Sequence, residues 1–165
     1  MRDAEETIRE IEAAFAEVPY PGREALFNDH CCECAEVSAS YAGKHWTEIA
    51  LAEVLAGRET SLLSPAAWRY YLPALMIWCI RAPDAVDVMQ DNLVYQLEPP
   101  DDQRGVPEWF NERARGFSRA QRSAIVAYLD WYRKRDEARW DGTEPPRHVY
   151  NALAYWAATG MDETV

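Results

Sequence analysis

The segment over residues 64–81 constrains the fold more than any other part of the chain. Ser64 can cap free backbone amides, and Pro65 at the first helical position loses no intrahelical bond, so this pair predicts a helix start. After its first turn, the predicted helix is apolar around almost its whole circumference. A helix without a polar face is stable only when other elements surround it. The sequence therefore predicts a central helix.

An internal proline, Pro73, lies in the middle of this predicted helix. It has no N–H to bond the carbonyl of Arg69, and its ring crowds that carbonyl, so we expect a kink. Departures from regular backbone cluster at functional sites. One hypothesis for the function is therefore an enzyme with an aromatic-lined pocket near Pro73.

Helical spacing recurs along the rest of the chain. Ile8, Ile11 and Phe15 share the apolar face of a predicted helix over 3–18. Ser118 and Gln121 form a capping box that opens a helix over 118–138. Further helices are predicted around 34–41, over 46–55, 84–97 and 108–113, and after the proline pair at 145–146. No segment alternates like a strand, so we predict an all-α fold, a single domain over 1–165 with about seven helices around the Pro-kinked helix.

Charge and aromatic content bear on the class of partner. The net charge is −11, and residues 1–60 hold 13 acidic and 5 basic side chains. Binding to duplex nucleic acid depends largely on Lys and Arg contacts to phosphates, so we exclude it as a main function and expect a basic protein as partner. The sequence contains seven Trp, nine Tyr and four Phe. Some of these aromatic residues are adjacent in sequence and point to different helix faces, so core packing does not account for all of them. The excess predicts an exposed aromatic patch.

Nothing in the sequence predicts contact with a membrane. The longest apolar run covers residues 72–80, which is far short of the roughly 20 residues that span a bilayer. The first 18 residues are acidic and lack the apolar stretch of a secretory signal. We therefore expect a soluble, cytoplasmic protein with reduced cysteines.

A cysteine-rich segment offers one candidate metal site. Cys31 and Cys34 have the two-residue gap of zinc ligands, and His30 and His45 could complete a tetrahedral set. A second paired knuckle, which strong zinc signatures contain, is missing from the sequence. The alternative is that Cys34 faces the core together with Val37, and that His30 helps to cap the helix start.

Two charged clusters are further candidates. Asp84, Asp87 and Asp91 fall on one face of the predicted helix over 84–97, where they could bind a cation or form solvated surface. Arginines are concentrated within ten residues that include no acid, where they could hold a phosphate or neutralise acids of the same chain. These arginines are Arg113, Arg115, Arg119 and Arg122.

The motifs described so far resemble those of an uncharacterised family of small bacterial proteins, a domain of unknown function. The resemblance covers residues 10–135 approximately and rests on the segments 30–34, 43–46, 64–74 and 129–131. Its most specific part is Arg69-Tyr70-Tyr71-Leu72-Pro73-Ala74. It implies a bacterial, cytoplasmic protein and supplies no catalytic residue.

The sequence thus favours a non-enzymatic binding protein, of an immunity type or a regulatory type, that acts through an acidic and aromatic surface. A small zinc protein that uses His30, Cys31, Cys34 and His45 is the second hypothesis. The enzyme with a pocket near Pro73 is the third. Phosphate-binding loops and common hydrolase motifs are absent from the sequence.

Overall fold

The structure is a computed structural model that describes residues 3–29, 32–100, 105–139 and 147–158. Nine α-helices lie in these ranges, joined by short 3₁₀ turns at Arg23–Ala25, Trp46–Glu48 and Thr60–Leu62. The helices are α1 (Ala4–Phe15), α2 (Cys34–Tyr41), α3 (Leu51–Ala56), α4 (Pro65–Arg81), α5 (Pro83–Val86), α6 (Val88–Leu97), α7 (Glu108–Arg115), α8 (Arg119–Arg139) and α9 (Arg147–Ala158).

Helix α4 is the centre of the fold. It contacts α1, α3, α5, α6 and α7, and twelve of its residues are buried. Within the described residues the only β pairing is an isolated bridge between Phe27 and Leu63. The all-α class and the central position of the apolar helix are therefore confirmed.

The start of α4 follows the predicted capping. The Ser64 hydroxyl accepts a hydrogen bond from the amide of Ala67 at 3.2 Å and donates to the carbonyl of Ala25 at 2.5 Å. The cap therefore also ties α4 to the 3₁₀ turn at Arg23–Ala25. The helix continues through Pro73, whose ring is buried in the core.

Helix α8 forms a second layer between α1 and α9. Its capping box is confirmed, since the Gln121 amide donates to the Ser118 hydroxyl at 3.2 Å and the Ser118 amide donates to Oε1 of Gln121 at 3.0 Å. Helix α1 buries Ile8, Ile11 and Phe15 as expected but ends three residues before the predicted boundary. One hydrophobic core is shared by all these helices.

The predicted helix over 46–55 is wrong in its first half. The 3₁₀ turn Trp46–Glu48 precedes α3, and Ile49 between them is extended, with ψ of 113°. The indole of Trp78 donates to the Ile49 carbonyl at 2.7 Å, which takes that carbonyl out of helical bonding. Glu53 then accepts from the Ala50 amide at 2.6 Å and caps a new helix start.

The predicted helix over 84–97 is also wrong as one element. It is divided into α5 and α6 at Asp87, which has φ of 41° and ψ of −120°. A residue with positive φ cannot continue a right-handed helix. The backbone at Asp87 therefore ends α5 and separates it from α6.

The lengths and compositions of the helices bear on whether any of them could span a membrane. Among those in the described ranges, none has both the length and the apolar character that a bilayer crossing demands.

Candidate functional site

Three adjacent clefts extend from the junction of α6, α8 and α9 to α7 and the segments that precede α4. The first, of about 420 Å³, lies between α6, α8 and α9 and is called the acidic cleft because Asp87, Asp91 and Asp136 line it. The central cleft, of about 390 Å³, is lined by Arg58, Asn92 and Gln96 among others. The outer cleft, of about 330 Å³, is lined by residues that include Asn28, Pro65 and Glu112.

Two aromatic residues connect the three clefts into one groove. Tyr95 lines both the acidic and the central cleft, and Trp109 lines both the central and the outer cleft. Each of these residues is 53% exposed. Two large exposed aromatic side chains thus lie in α6 and α7, at residues that the sequence analysis did not single out, whereas the adjacent pair Tyr70 and Tyr71 is buried.

The Tyr95 ring is held in one orientation by its neighbours. Its hydroxyl oxygen lies 2.9 Å from Nε2 of His148, and the two rings pack with centroids 4.2 Å apart. Nδ1 of His148 lies 3.4 Å from a carboxylate oxygen of Glu98. Asn151 donates to the other oxygen of Glu98 at 2.7 Å. This series of contacts fixes the Tyr95 ring, which forms the aromatic wall of the acidic cleft.

The floor of the acidic cleft contains a tyrosine bound to a carboxylate. Tyr132 donates to Oδ1 of Asp91 at 2.5 Å. Burial raises the pKa of Tyr132 strongly, and the hydrogen bond to Asp91 raises it further, so the hydroxyl stays a donor at neutral pH. Asp136 lies one helical turn along α8 and is only 9% exposed.

Among the described residues, one arginine lines the acidic cleft, and it is bound within the cleft wall. Arg135 donates to Oε1 of Gln90 at 2.8 Å and to Oδ1 of Asp84 at 3.3 Å, and its guanidinium lies over the ring of Trp131 at 5.9 Å. Gln90 is itself anchored, since its amide donates to the Pro83 carbonyl at 2.5 Å. Arg135 therefore contributes a positive charge to the wall of the acidic cleft, with the exposed Asp84 as its carboxylate partner.

The acidic row expected on one helix face does not exist as such. Because the helix is interrupted at Asp87, Asp84 pairs with Arg135 whereas Asp91 accepts from Tyr132. Asp87 and Asp91 line the cleft, and Asp84 stands outside its lining. Two of the three predicted carboxylates, Asp87 and Asp91, therefore line the acidic cleft. Asp136, which the sequence analysis did not consider, lines the same cleft.

The wall between the central and outer clefts is built on a buried arginine. Arg113 donates to the carbonyls of Ser61 at 2.6 Å and Leu63 at 3.4 Å, and it lies over the ring of Trp68 at 5.0 Å. Burial lowers the pKa of Arg113. These contacts hold α7 against the segment before α4 and place Trp109 at the surface.

Residues 3–159 match the model of a family of unknown function (DUF6714). The chain belongs to this family. Comparisons with curated proteins and with solved structures gave no match. Membership in DUF6714 agrees with the expected resemblance to an uncharacterised domain, and it assigns no activity to the groove.

Two of the four zinc candidates can be located in this DUF6714 chain. Cys34 is buried beside Val37 and donates to the Asp29 carbonyl at 3.6 Å, as the alternative interpretation expected. His45 accepts from the Thr47 amide at 3.3 Å and caps a 3₁₀ turn. His30 and Cys31 lie outside the described residues, so the zinc hypothesis stays a prediction.

The described arginines of the basic cluster serve separate local contacts. Arg113 is buried in α7, Arg115 pairs with Glu108 at 2.9 Å, and Arg122 donates to the carbonyls of Ala114 at 2.8 Å and Phe117 at 3.3 Å. Of these contacts, those of Arg122 join α7 to α8, those of Arg113 hold α7 against the segment before α4, and that of Arg115 lies within α7. They do not converge on one anion.

The neighbourhood of Pro73 carries no part of the groove. Pro73 and Tyr70 are buried, and the ring of Tyr70 packs against Tyr20 and His45 with centroids 5.2 and 5.9 Å apart. The three clefts of the groove are lined by other residues. A smaller cleft of about 70 Å³ does lie beside this segment, lined by Trp46, Ala74, Ile77 and Trp78 among others, so the hypothesis of an aromatic-lined pocket near Pro73 stays a prediction.

Proposed function

We propose that this protein binds a basic segment of a partner protein in the groove, as an immunity-type or regulatory protein without catalytic activity. The observation that carries the proposal is the position of Tyr95 and Trp109. Each ring is half exposed and forms a wall shared by two neighbouring clefts. Aromatic residues beside concave surface supply much of the binding energy at protein interfaces.

The shape of the groove favours a chain segment over a compact molecule. A small ligand fills one cavity, whereas successive side chains of a bound segment fill cavities that follow one another. The three clefts follow one another in this way, with Tyr95 and Trp109 as the partitions. The contact with His148 fixes the orientation of the Tyr95 side chain, so this side chain loses less conformational entropy when a segment binds.

The charge of the groove favours a basic segment. Among the residues that the structure describes, six carboxylates and three guanidinium groups line the groove. Arg113 and Arg135 are already bound to carbonyls or side chains of the protein. The chain charge of −11 adds a long-range attraction that would speed encounter with a basic partner. The six carboxylates belong to Asp29, Glu59, Asp87, Asp91, Glu112 and Asp136.

Selection from a random peptide-display library, followed by calorimetry on synthetic peptides, tests the proposal. We expect selected peptides to be rich in arginine and lysine. Trp109→Ala and Tyr95→Ala should each weaken their binding by about five- to thirtyfold, which corresponds to about 1–2 kcal/mol for an interface anchor.

Leu55→Ala provides the matched control. Leu55 is an exposed apolar side chain outside the three clefts, so its removal should leave peptide affinity unchanged. If the selection yields no basic peptides, or if their affinities are indifferent to both aromatic substitutions, the proposal is wrong.

A further inference from the structure

We infer that the central cleft receives the carboxylate of an aspartate or glutamate side chain, and that Arg113 and Arg58 bind this carboxylate. This inference rests on the proposed function, because the acidic residue would belong to the bound segment of the partner. It adds that a segment which is basic overall carries one acidic residue at this position.

Arg113 is a buried cation without a carboxylate partner. The residue is only 9% exposed, and no acidic side chain of the described residues forms an ion pair with it. The carbonyls of Ser61 and Leu63 and the ring of Trp68 offset part of its charge. Buried charges in proteins are normally paired with an opposite charge. The described part of the chain therefore does not supply the counter-charge of Arg113.

Arg113 also retains hydrogen-bond donors for a ligand. Both of its bonds to carbonyls come from Nη2. A guanidinium has five N–H donors, so those of Nε and Nη1 are left without an acceptor among the described residues. The side chain lines both the central and the outer cleft. A fixed cation with unused donors beside a cavity suits a carboxylate, whose oxygens accept charge-assisted hydrogen bonds.

The central cleft contains a second guanidinium that is not paired. Arg58 lines it, and none of the described acidic side chains forms an ion pair with Arg58. Glu59 is the one carboxylate among the described lining residues, so two positive charges minus one negative charge leave one net positive charge. In the acidic and outer clefts the described carboxylates outnumber the guanidinium groups. The centre of the groove therefore attracts an acid, although the groove as a whole attracts a basic segment.

The surroundings favour a carboxylate over a phosphate group. A single net positive charge balances one carboxylate, whereas a phosphate group brings a charge of about −1.5 to −2 at neutral pH, and Glu59 would repel it. The groove continues past Tyr95 on one side and past Trp109 on the other. The carboxylate therefore belongs to a side chain within the bound segment and not to a chain end.

Nuclear magnetic resonance titration with N-acetyl-aspartate N-methylamide tests the site without any partner. This probe carries one side-chain carboxylate and has blocked ends. We expect it to shift the Nε–H resonance of Arg113 and the indole N–H resonance of Trp109, whereas the neutral asparagine analogue should leave both unchanged. Arg58→Gln and Arg113→Gln should each weaken binding at least about fivefold, because each removes a charged donor.

Matched variants separate the site from general charge and from folding. Arg115→Gln removes an exposed guanidinium of the same helix, outside the three clefts, and should leave binding unchanged. Arg58 is exposed, so its variant serves where Arg113→Gln lowers the melting temperature. Equal binding of the aspartate and asparagine probes, or binding that ignores both substitutions in the cleft, would overturn the inference. Tighter binding of inorganic phosphate than of the aspartate probe would also overturn it, because the ligand would then be a phosphoryl group.

The outcomes also separate this inference from the proposed function. If library peptides bind in a manner that depends on Trp109 but contain no aspartate or glutamate, or tolerate its replacement by the amide, the groove stands and the carboxylate site is wrong. If the aspartate probe binds in a manner that depends on Arg58 and Arg113 while no peptide requires Trp109, the site stands and the proposed function fails.

Discussion

Arg69 occupies the space that a side chain at residue 116 would need. A β-carbon added to Gly116 would lie 1.1 Å from Nη1 and 2.1 Å from Cζ of Arg69. Gly116 follows the last turn of α7, where a cation is favoured by the helix dipole, and the guanidinium also lies 5.8 Å from the centre of the Phe117 ring. Burial lowers the pKa of Arg69. Because residue 116 has no side chain, Arg69 of the central helix can pack against the end of α7.

We predict that Gly116→Ala destabilises the protein by up to about 1 kcal/mol, less than overpacking of a rigid core costs, because the displaced atoms are the far end of the half-buried Arg69 side chain. The backbone of Gly116 has φ of −82°, which alanine accepts, so the cost comes from displacement of Arg69 alone. Urea unfolding monitored by tryptophan fluorescence measures it.

The double variant provides the control for this prediction. In an Arg69→Ala background the space is empty, and Gly116→Ala should become neutral or slightly stabilising through its effect on the unfolded chain. A cost of Gly116→Ala that is unchanged in that background would contradict the packing relationship.

A second prediction concerns the fully buried Tyr71. Its hydroxyl donates to the carbonyls of Tyr41 at 2.5 Å and Lys44 at 3.2 Å, where α2 ends. Tyr71→Phe should cost about 1–2 kcal/mol in the free energy of unfolding, because it deprives these carbonyls of a donor. Tyr150→Phe removes an exposed hydroxyl that donates to Glu137 and should have almost no effect. Equal effects of the two substitutions would count against the prediction.

A third prediction concerns the two cysteines with opposite environments. Burial raises the pKa of the Cys79 thiol to about 12, whereas Cys32 is exposed. Since the thiolate is the nucleophile, iodoacetamide at pH 8 should modify Cys32 in the folded protein and leave Cys79 intact. Mass spectrometry of proteolytic fragments measures both, and labelling in guanidinium shows that Cys79 is otherwise reactive. Modification of Cys79 in the folded protein at the rate of Cys32 would refute its burial.

A fourth prediction concerns pH. Lys44 lies 2.5 Å from Glu53, and this hydrogen bond lowers the pKa of Glu53, with a further contribution from the amide of Ala50. A carboxyl whose pKa is lower when folded stabilises the protein above its unfolded pKa and loses that contribution as pH falls through the folded value. Glu53→Gln should therefore cost up to about 1 kcal/mol at pH 7 and less at pH 3. A cost that grows on acidification would contradict this linkage.

Local signals in the sequence predicted much of the fold. Ser64 and Ser118 start their helices with the expected bonds, because capping depends on residues within three positions of one another. The central position of α4 was also predictable, because a helix that is apolar around almost its whole circumference is stable only when other elements bury it on all sides. Membership in a family of unknown function was likewise apparent from the resemblance.

The groove depends on contacts that sequence spacing does not contain. Asp91 and Tyr132 are 41 positions apart, and Tyr95 and His148 are 53 apart. One signal was available, because Tyr95 falls off the apolar face that Leu93 and Leu97 define and was therefore due to be exposed. The break at Asp87 gave no such signal, since aspartate rarely adopts this backbone conformation.

That break leads to the last prediction. Asp87 holds φ of 41° and ψ of −120°, a conformation that turns normally reserve for glycine. Strain of this kind costs about 1–3 kcal/mol and persists at functional sites, whereas glycine adds about 0.5–1 kcal/mol of chain entropy to the unfolded state. Asp87→Gly should therefore stabilise the protein by about 1 kcal/mol in urea unfolding.

Asp87→Ala separates backbone strain from the carboxylate. Alanine retains the strain, so it should gain no stability, yet it removes the same charge from the acidic cleft. Both variants should weaken binding of the basic library peptides by a similar factor, since both remove one carboxylate from the groove. Stability would then depend on the backbone conformation of Asp87, and binding would depend on its carboxylate. A glycine variant no more stable than the alanine variant would show that the backbone at Asp87 is not strained.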